Sequence, residues 1–367
     1  MAVAVLFAFA VADGLPPVVG AAPYDVLARQ LPRMLVARLN AGGDRGIRFF
    51  PFLGPVDGKR NFLRLREPFE PQQLAQLHKQ GETQLLCDGV FRPGLLHWRV
   101  VDGSTLQVRF EGDLPFDPKR PLDVLVRLEF ELTGLLGWLG RPHPVHPLSG
   151  EALGWYLVLK DALLRREANL QDDAEDPLRP LRKCLELARD DEEVRNLAID
   201  FAVQVCKRGE PGALLPAALG ALLHAPNLRT EQLERLATIL HAVGDAAGAA
   251  TASSRAALQS PERAELVERA AAQLFRLERY GEVRAIVELA RQRGVASVPA
   301  LAQLAAVCDR TGDRTLRVQL TEELLGVDEL PVPVARLLVS FLLEDDRPAA
   351  ARAIAERALA KDPSQAM

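Results

Sequence analysis

The sequence predicts a two-part protein: an α/β domain at the N-terminus, followed by an all-α solenoid of helical hairpins. Three observations predict it. The chain opens on a continuous apolar run, Ala2–Val11, followed by a stretch with helical periodicity, an order that suits a buried strand and its covering helix. From residue 230 onward, residues of one kind recur every 34 positions. Gly244, Glu278, Gly312 and Asp346 form a turn-like column, while Leu236, Ala270, Leu304 and Leu338, then Ala256, Ala290, Leu324 and Ala358, form apolar ones; Pro261 and Pro363 stand three steps apart. Between the two patterns the composition changes. Eleven of the 14 Phe precede residue 149, and net charge goes from +2 over residues 1–149 to −6 over 150–367. These shifts divide the chain into a domain at 1–140, a Pro/His/Gly linker at 141–149 and a helical part at 150–367.

Within the first part, Tyr24–Leu39 reads as an amphipathic helix, with Val26, Leu27, Leu31, Met34, Leu35 and Leu39 at steps of three and four. Pro23 suits its first turn, Pro32 inside it predicts a kink, and Ala41-Gly42-Gly43 ends it. Ile47–Leu53 reads as a second strand and Pro71–Lys79 as a short helix. Strands follow at Gln84–Phe91, Leu96–Val101 and Thr105–Phe110, with Asp102-Gly103 as the turn between the last two. Arg120–Leu139 closes the domain as a helix. In the second part, Ser149 is expected to cap a helix over Glu151–Arg166. A polar insertion, Arg165–Asp176, then leads to a helix over Pro177–Arg189, and further units start near Asn196, Thr230, Ala264, Val298 and Val332. Alanine at the repeated sites lets neighbouring helix axes come close.

Two resemblances follow from these residues. The 34-residue helix–turn–helix period resembles tetratricopeptide (TPR) repeats, securely over residues 196–363 and loosely over 150–195. Departures are Glu210 and Glu278 in place of a helix-linking glycine, and Arg317 where alanine is usual, which predicts distortion of the unit beginning at Val298. The opening strand Val3–Phe9 with its helix, the segment Leu85-Leu86-Cys87-Asp88-Gly89, and Trp98-Arg99-Val100-Val101-Asp102 leading to the last helix resemble the TolB amino-terminal domain. That resemblance implies a non-enzymatic module found beside repeats in bacterial signalling proteins, and it raises a periplasmic location as the alternative to a cytoplasmic one.

The motifs that could carry chemistry each fall short of a catalytic or cofactor signature. Gly54-Pro55-Val56-Asp57-Gly58-Lys59-Arg60 has three residues between its glycines and no Ser/Thr after Lys59, so it reads as a surface turn and not a phosphate loop. His143-Pro144-Val145-His146 offers two ligands in a proline-rich linker, too few for a metal site. Arg64 and Arg66 with Phe62 and Phe69 are too few for a nucleic-acid platform. The four cysteines, Cys87, Cys184, Cys206 and Cys308, are far apart on apolar stretches and read as buried free thiols of a reducing compartment. The opening run lacks a basic n-region, since the first basic residue is Arg29, and Pro16-Pro17 interrupts it early; it reads as a buried strand in preference to a signal peptide. No run reaches the length of a membrane span.

The expectation for function is a non-enzymatic scaffold or adaptor without cofactor. In TPR proteins the first helix of each pair lines a concave groove that holds a partner segment. By matching positions, that groove presents Asp200, Gln204, Lys207, Glu231, Glu234, His241, Glu265, Glu268, Arg276, Asp309, Arg310 and Arg336. The acidic set Asp200, Glu234 and Glu268 would repel a C-terminal carboxylate and favours a basic or mixed-charge partner. The alternative is a bacterial signalling or regulatory accessory protein whose α/β domain senses a small molecule.

Overall fold

A computed structural model describes residues 4–15, 22–41, 43–81, 83–138, 147–170, 176–209 and 214–361. Pro16-Pro17, His143, His146, Glu210 and Pro363 lie outside the described residues. The chain divides into two compact units, Met1–Pro211 and Gly212–Met367.

The first unit is built on a mixed sheet. Its strands are β1 (Ala4–Phe7), β2 (Ala10–Val11), β3 (Ile47–Phe50), β6 (Leu85–Arg92), β7 (Leu95–Asp102) and β8 (Val108–Pro115), in the order β3-β1-β6-β7-β8, with β2 beside β6. The short hairpin β4 (Leu53–Val56) and β5 (Lys59–Phe62) stands apart from it. β1 runs parallel to both neighbours and β2 runs parallel to β6, while β6, β7 and β8 pair antiparallel. The helices are α1 (Tyr24–Leu39), α2 (Pro71–Gly81), α3 (Asp123–Leu135), α4 (Gly150–Glu167), α5 (Arg179–Ala188) and α6 (Glu192–Lys207). α1 packs against β1, β2 and β3 and against α3. Leu74 and Leu77 of α2 join Val5, Phe7, Leu86 and Val101 of the sheet in a separate cluster. The strand period of two thus feeds two cores. Phe7, Phe50, Phe52 and Phe69 stack there with centroids 4.6 to 6.3 Å apart, which accounts for much of the phenylalanine excess.

The opening run is split, where a single strand was expected. The break at Ala8-Phe9 has a physical reason in Pro32. A proline inside a helix leaves the carbonyl four residues earlier without its N–H partner. Here that carbonyl is Ala28's, and the Phe9 N–H donates to it at 2.9 Å. α1 therefore runs through Pro32 unbroken. The presumed surface turn at Gly54–Arg60 is the β4–β5 hairpin, closed by Asp57-Gly58, both at positive φ (49° and 76°) as a tight hairpin turn demands. The last strand starts three residues later than expected. The Asp102 carboxylate accepts from the N–H groups of Ser104 and Thr105 and from the Ser104 hydroxyl, holding 103–107 as a loop with Leu106 at φ 59°. Ser149 occupies the N-cap of α4, but its side chain makes no capping bond.

α4–α6 belong to the first unit, where Leu164 and Leu170 pack with Phe62 of the hairpin and a buried polar junction ties α4 to α1. Asp161 of α4, 4% exposed, accepts from Arg29 Nε (2.8 Å) and Nη2 (2.7 Å) and from Gln30 (3.2 Å) on α1, and from Arg165 (3.4 Å) on its own helix. Arg29 and Arg165 both lie over the Phe62 ring of the hairpin, at 5.0 and 5.5 Å.

The second unit is a run of helices packed pair after pair: α7 (Leu215–Leu223), α8 (Thr230–Ala242) with α9 (Ala246–Gln259), α10 (Ala264–Arg276) with α11 (Tyr280–Gln292), α12 (Val298–Thr311) with α13 (Arg314–Leu325), and α14 (Val332–Glu344) with α15 (Pro348–Lys361). Helices also pack on their counterparts in the next pair, α7 on α9, α9 on α11, α10 on α12 and α12 on α14. The 34-residue turn column is realised in the backbone. Gly244, Glu278, Gly312 and Asp346 all take left-handed φ values of 83°, 58°, 78° and 54°. In each case the next N–H reaches back to the carbonyl five residues before it, at 2.8 to 3.0 Å, closing the same helix-ending loop four times. The distortion expected at Arg317 does not occur; α13 is continuous. Arg317 is 4% exposed, ion-paired to Asp309 (3.1 Å), Glu344 (2.7 Å) and Asp345 (2.5 Å), and set over the Phe341 ring.

Among the described residues no helix is long and apolar enough to cross a membrane. All four cysteines are free; Cys87, Cys184 and Cys308 are buried and Cys206 half-buried. Burial pushes Cys184 up to about 12 and Cys308 up to about 11.

Candidate interaction face of the helical array

The groove residues inferred from sequence fall on five helices and in both units. Asp200, Gln204 and Lys207 lie on α6 in the first unit, Asp200 and Lys207 exposed and Gln204 half-buried. The other nine lie in the second unit: Glu231, Glu234 and His241 on α8, Glu265, Glu268 and Arg276 on α10, Asp309 and Arg310 on α12, and Arg336 on α14. Helical periodicity fixes what each can do. Leu233, Leu236, Ala237 and Leu240 turn the other side of α8 inward, and Leu266, Val267, Ala270, Ala271 and Leu274 do so on α10, all 4% exposed or less. Glu231, Glu265, His241, Arg276, Asp309, Arg310 and Arg336 are left exposed.

Their electrostatics differ from a plain acidic run. Half-buried Glu234 is ion-paired to Arg263, the residue before α10, and lies 3.8 Å from Arg269. Half-buried Glu268, one period on, accepts from the hydroxyl of Ser297, the residue before α12, at 3.3 Å. Each of these glutamates therefore reaches the start of the next first helix, 29 residues away, and serves as a strut between pairs. Ser297 also caps α12 by accepting from the Ala300 N–H. Glu265 pairs with Arg263 at 2.9 Å; its own backbone N–H, then Arg263, hold its carboxyl below the usual range. Asp309 is taken by Arg317. What remains outward is mixed: Glu231 and Glu265 in one column, Arg276 and Arg310 in another, both at the 34-residue step.

Asp200 belongs to a different feature, a cleft of about 330 Å³ between α1, α4 and α6. Lys160 and Tyr156 of α4 stand in it with Arg33 of α1 and Glu193 of α6. The Tyr156 hydroxyl donates to Glu193 at 2.7 Å, and burial first, then this carboxylate, pushes the phenol well above its ordinary range. Arg33 pairs with Glu167 at 2.7 Å. Sequence reasoning missed Lys160, although a signal existed. Only seven of the 45 basic residues are Lys, and this one, with Asp161 beside it, interrupts the apolar run Leu157–Leu163. A second and larger pocket of about 790 Å³ lies in the α/β region, where His78, Asp102, Ser104 and Arg109 face Leu135 and Leu136. Asp102 is held there by the Arg109 guanidinium at 2.6 Å, which, with the Ser104 hydroxyl, depresses its carboxyl far below the carboxylate range. Among the described residues no group of three or more His, Cys, Asp or Glu is placed to hold a metal ion.

No protein-family model matches the chain, and no curated protein matches it. Among solved structures, the crystal structure of MamA protein aligns at 12% identity and a TM-score of 0.28, covering 48% of this chain and 98% of that one.

Proposed function

We propose that the helical unit is a TPR-like solenoid serving as a non-enzymatic scaffold, and that its first-helix face binds a segment of another protein. One observation carries this reading: counterpart helices stack on each other across pairs while an outward row of polar residues repeats at the same 34-residue step that buries the Leu and Ala columns. Of the basic or mixed-charge partner expected, the engagement of Glu234 and Glu268 within the array favours the mixed-charge one. The α/β region is read as a TolB-like module, supported by its opening strand and helix followed by a three-stranded meander. The free cysteines support a cytoplasmic location.

Affinity capture of the full chain from its own cell under native conditions tests this. A stoichiometric protein partner should be retained by the parent and lost by Arg276→Glu with Arg310→Glu, two exposed changes that leave the thermal transition in place. Retention at full strength by that variant would overturn the face assignment. The second reading, a regulatory protein whose α/β region senses a small molecule, draws on the pocket around Arg109 and His78. Ligand-induced thermal stabilisation that Arg109→Ala abolishes would favour it.

A further inference from the structure

The cleft between α1, α4 and α6 holds a cation with an incomplete set of partners. An ammonium has three N–H donors. That of half-buried Lys160 makes one hydrogen bond, to the Tyr156 hydroxyl at 3.2 Å, and lies 5.0 Å from the centre of the same ring. Among the described residues no carboxylate comes within ion-pair distance of it. Burial, then the charge of Arg33, pushes the Lys160 amine below its ordinary pKa, against the opposing pull of Glu193, Glu167 and Asp200. A half-desolvated cation in this position gains from an added anion more than an exposed lysine would.

The remaining groups narrow what that anion can be. Glu167 is engaged by Arg33, and Glu193 by the Tyr156 hydroxyl. Both carboxylates, with exposed Asp200, line the same small cleft. A ligand bearing only negative charge would gain Lys160 and be repelled by Glu193 and Asp200. A ligand bearing only positive charge would meet Lys160 and Arg33. A ligand carrying both signs a few bond lengths apart satisfies both walls, and Met34, Leu163 and Leu197 offer an apolar surface beside them. A cavity of about 330 Å³ is at the lower end for small-molecule sites. It suits a single amino acid better than a peptide or nucleotide. We infer that this cleft binds a small zwitterion of the free α-amino acid class, its carboxylate on Lys160 and its ammonium toward Glu193 and Asp200. The site lies wholly in the first unit, so it stands or falls apart from the partner-binding reading of the helical array.

Calorimetric titration of the full chain with each of the twenty free α-amino acids, and with the amide and N-acetyl derivative of any that binds, tests the inference. At least one amino acid should bind at micromolar to millimolar concentration. Its amide, which lacks the carboxylate, and its N-acetyl form, which lacks the ammonium, should each bind about tenfold or more weakly. Lys160→Met, which keeps the aliphatic stem, and Asp200→Asn, at an exposed position, should each lose a similar factor. Binding of none of the twenty would overturn the inference, as would undiminished binding of the N-acetyl form. Asp200→Asn and a folded Lys160→Met that both bind like the parent would overturn it too.

Discussion

Both compact units bury apolar cores, but they tie distant parts of the chain together over different sequence distances. The first adds to its apolar core buried charged contacts between residues far apart in sequence. Asp161 joins Arg29 across 132 positions, Glu129 joins Arg38 across 91, and Asp88, 2% exposed, takes Arg99 and the Phe69 N–H. The second depends on a local rule repeated. Leu and Ala columns are buried between adjacent helices, and side-chain contacts to a neighbouring pair span only about one period: Glu234 to Arg263, Arg284 to Asp313, Arg291 to Glu323. Removing one partner of a buried ion pair leaves an uncompensated buried charge, whereas a repeat array loses stability locally, through nearest neighbours.

That contrast can be broken at its strongest point first. All three tryptophans, Trp98, Trp138 and Trp155, lie in the first unit, so their fluorescence reports on it while far-ultraviolet circular dichroism weighs the helices of both. Asp161→Ala leaves Arg29 buried without its carboxylate and should cost about 3–5 kcal/mol in urea denaturation. The loss should appear in the fluorescence transition. Leu304→Ala, at a fully buried column position, should cost about 2–5 kcal/mol and move the dichroism transition with the fluorescence transition unchanged. If either substitution shifts both signals equally, the separation is wrong.

Two smaller effects sharpen it. Glu278 and Asp346 take left-handed backbone where Gly244 and Gly312 stand in the sister turns. Glu278→Gly and Asp346→Gly should each stabilise by about 0.5–1 kcal/mol, the strain relieved less the added freedom of the unfolded chain. The two gains should add, since the sites share no partners. Acid should act on the first unit through Asp102. Its folded pKa is depressed by Arg109 and the Ser104 hydroxyl, so its contribution is present above the unfolded value of about 4 and is lost as pH falls toward the folded one. Arg109→Met should remove most of that pH dependence from the fluorescence transition between about pH 5 and 2.

The helical unit was the more legible of the two, for the same reason. A local rule repeated four times leaves columns in a single sequence, and helices begin at Thr230, Ala264, Val298 and Val332 as the period predicts. Glu278, read as a departure, occupies the turn column in the same left-handed state as its glycine counterparts. Arg317 could not be read, because its partners Glu344 and Asp345 come from the following pair and no period announces them. In the first unit, α1 and the meander were visible as patterns, but the split between β1 and β2 was not. It depends on a hydrogen bond from Phe9 to a carbonyl that Pro32 leaves open, a relation between residues 23 positions apart. The residues assigned to the face lie on first helices of the pairs, but the arginine partner of Glu234, 29 residues on, left no mark in the sequence.

The most direct measurement is site-specific photo-crosslinking of the full chain in its own cell. A photoreactive amino acid would replace Glu231, Arg276 or Arg310 on the first helices, and Arg291 or Glu323 on the second helices, in separate variants. The account predicts one protein crosslinked from the first-helix positions and none from the second-helix pair. Crosslinks of equal yield from both sets, or none from either, would contradict it.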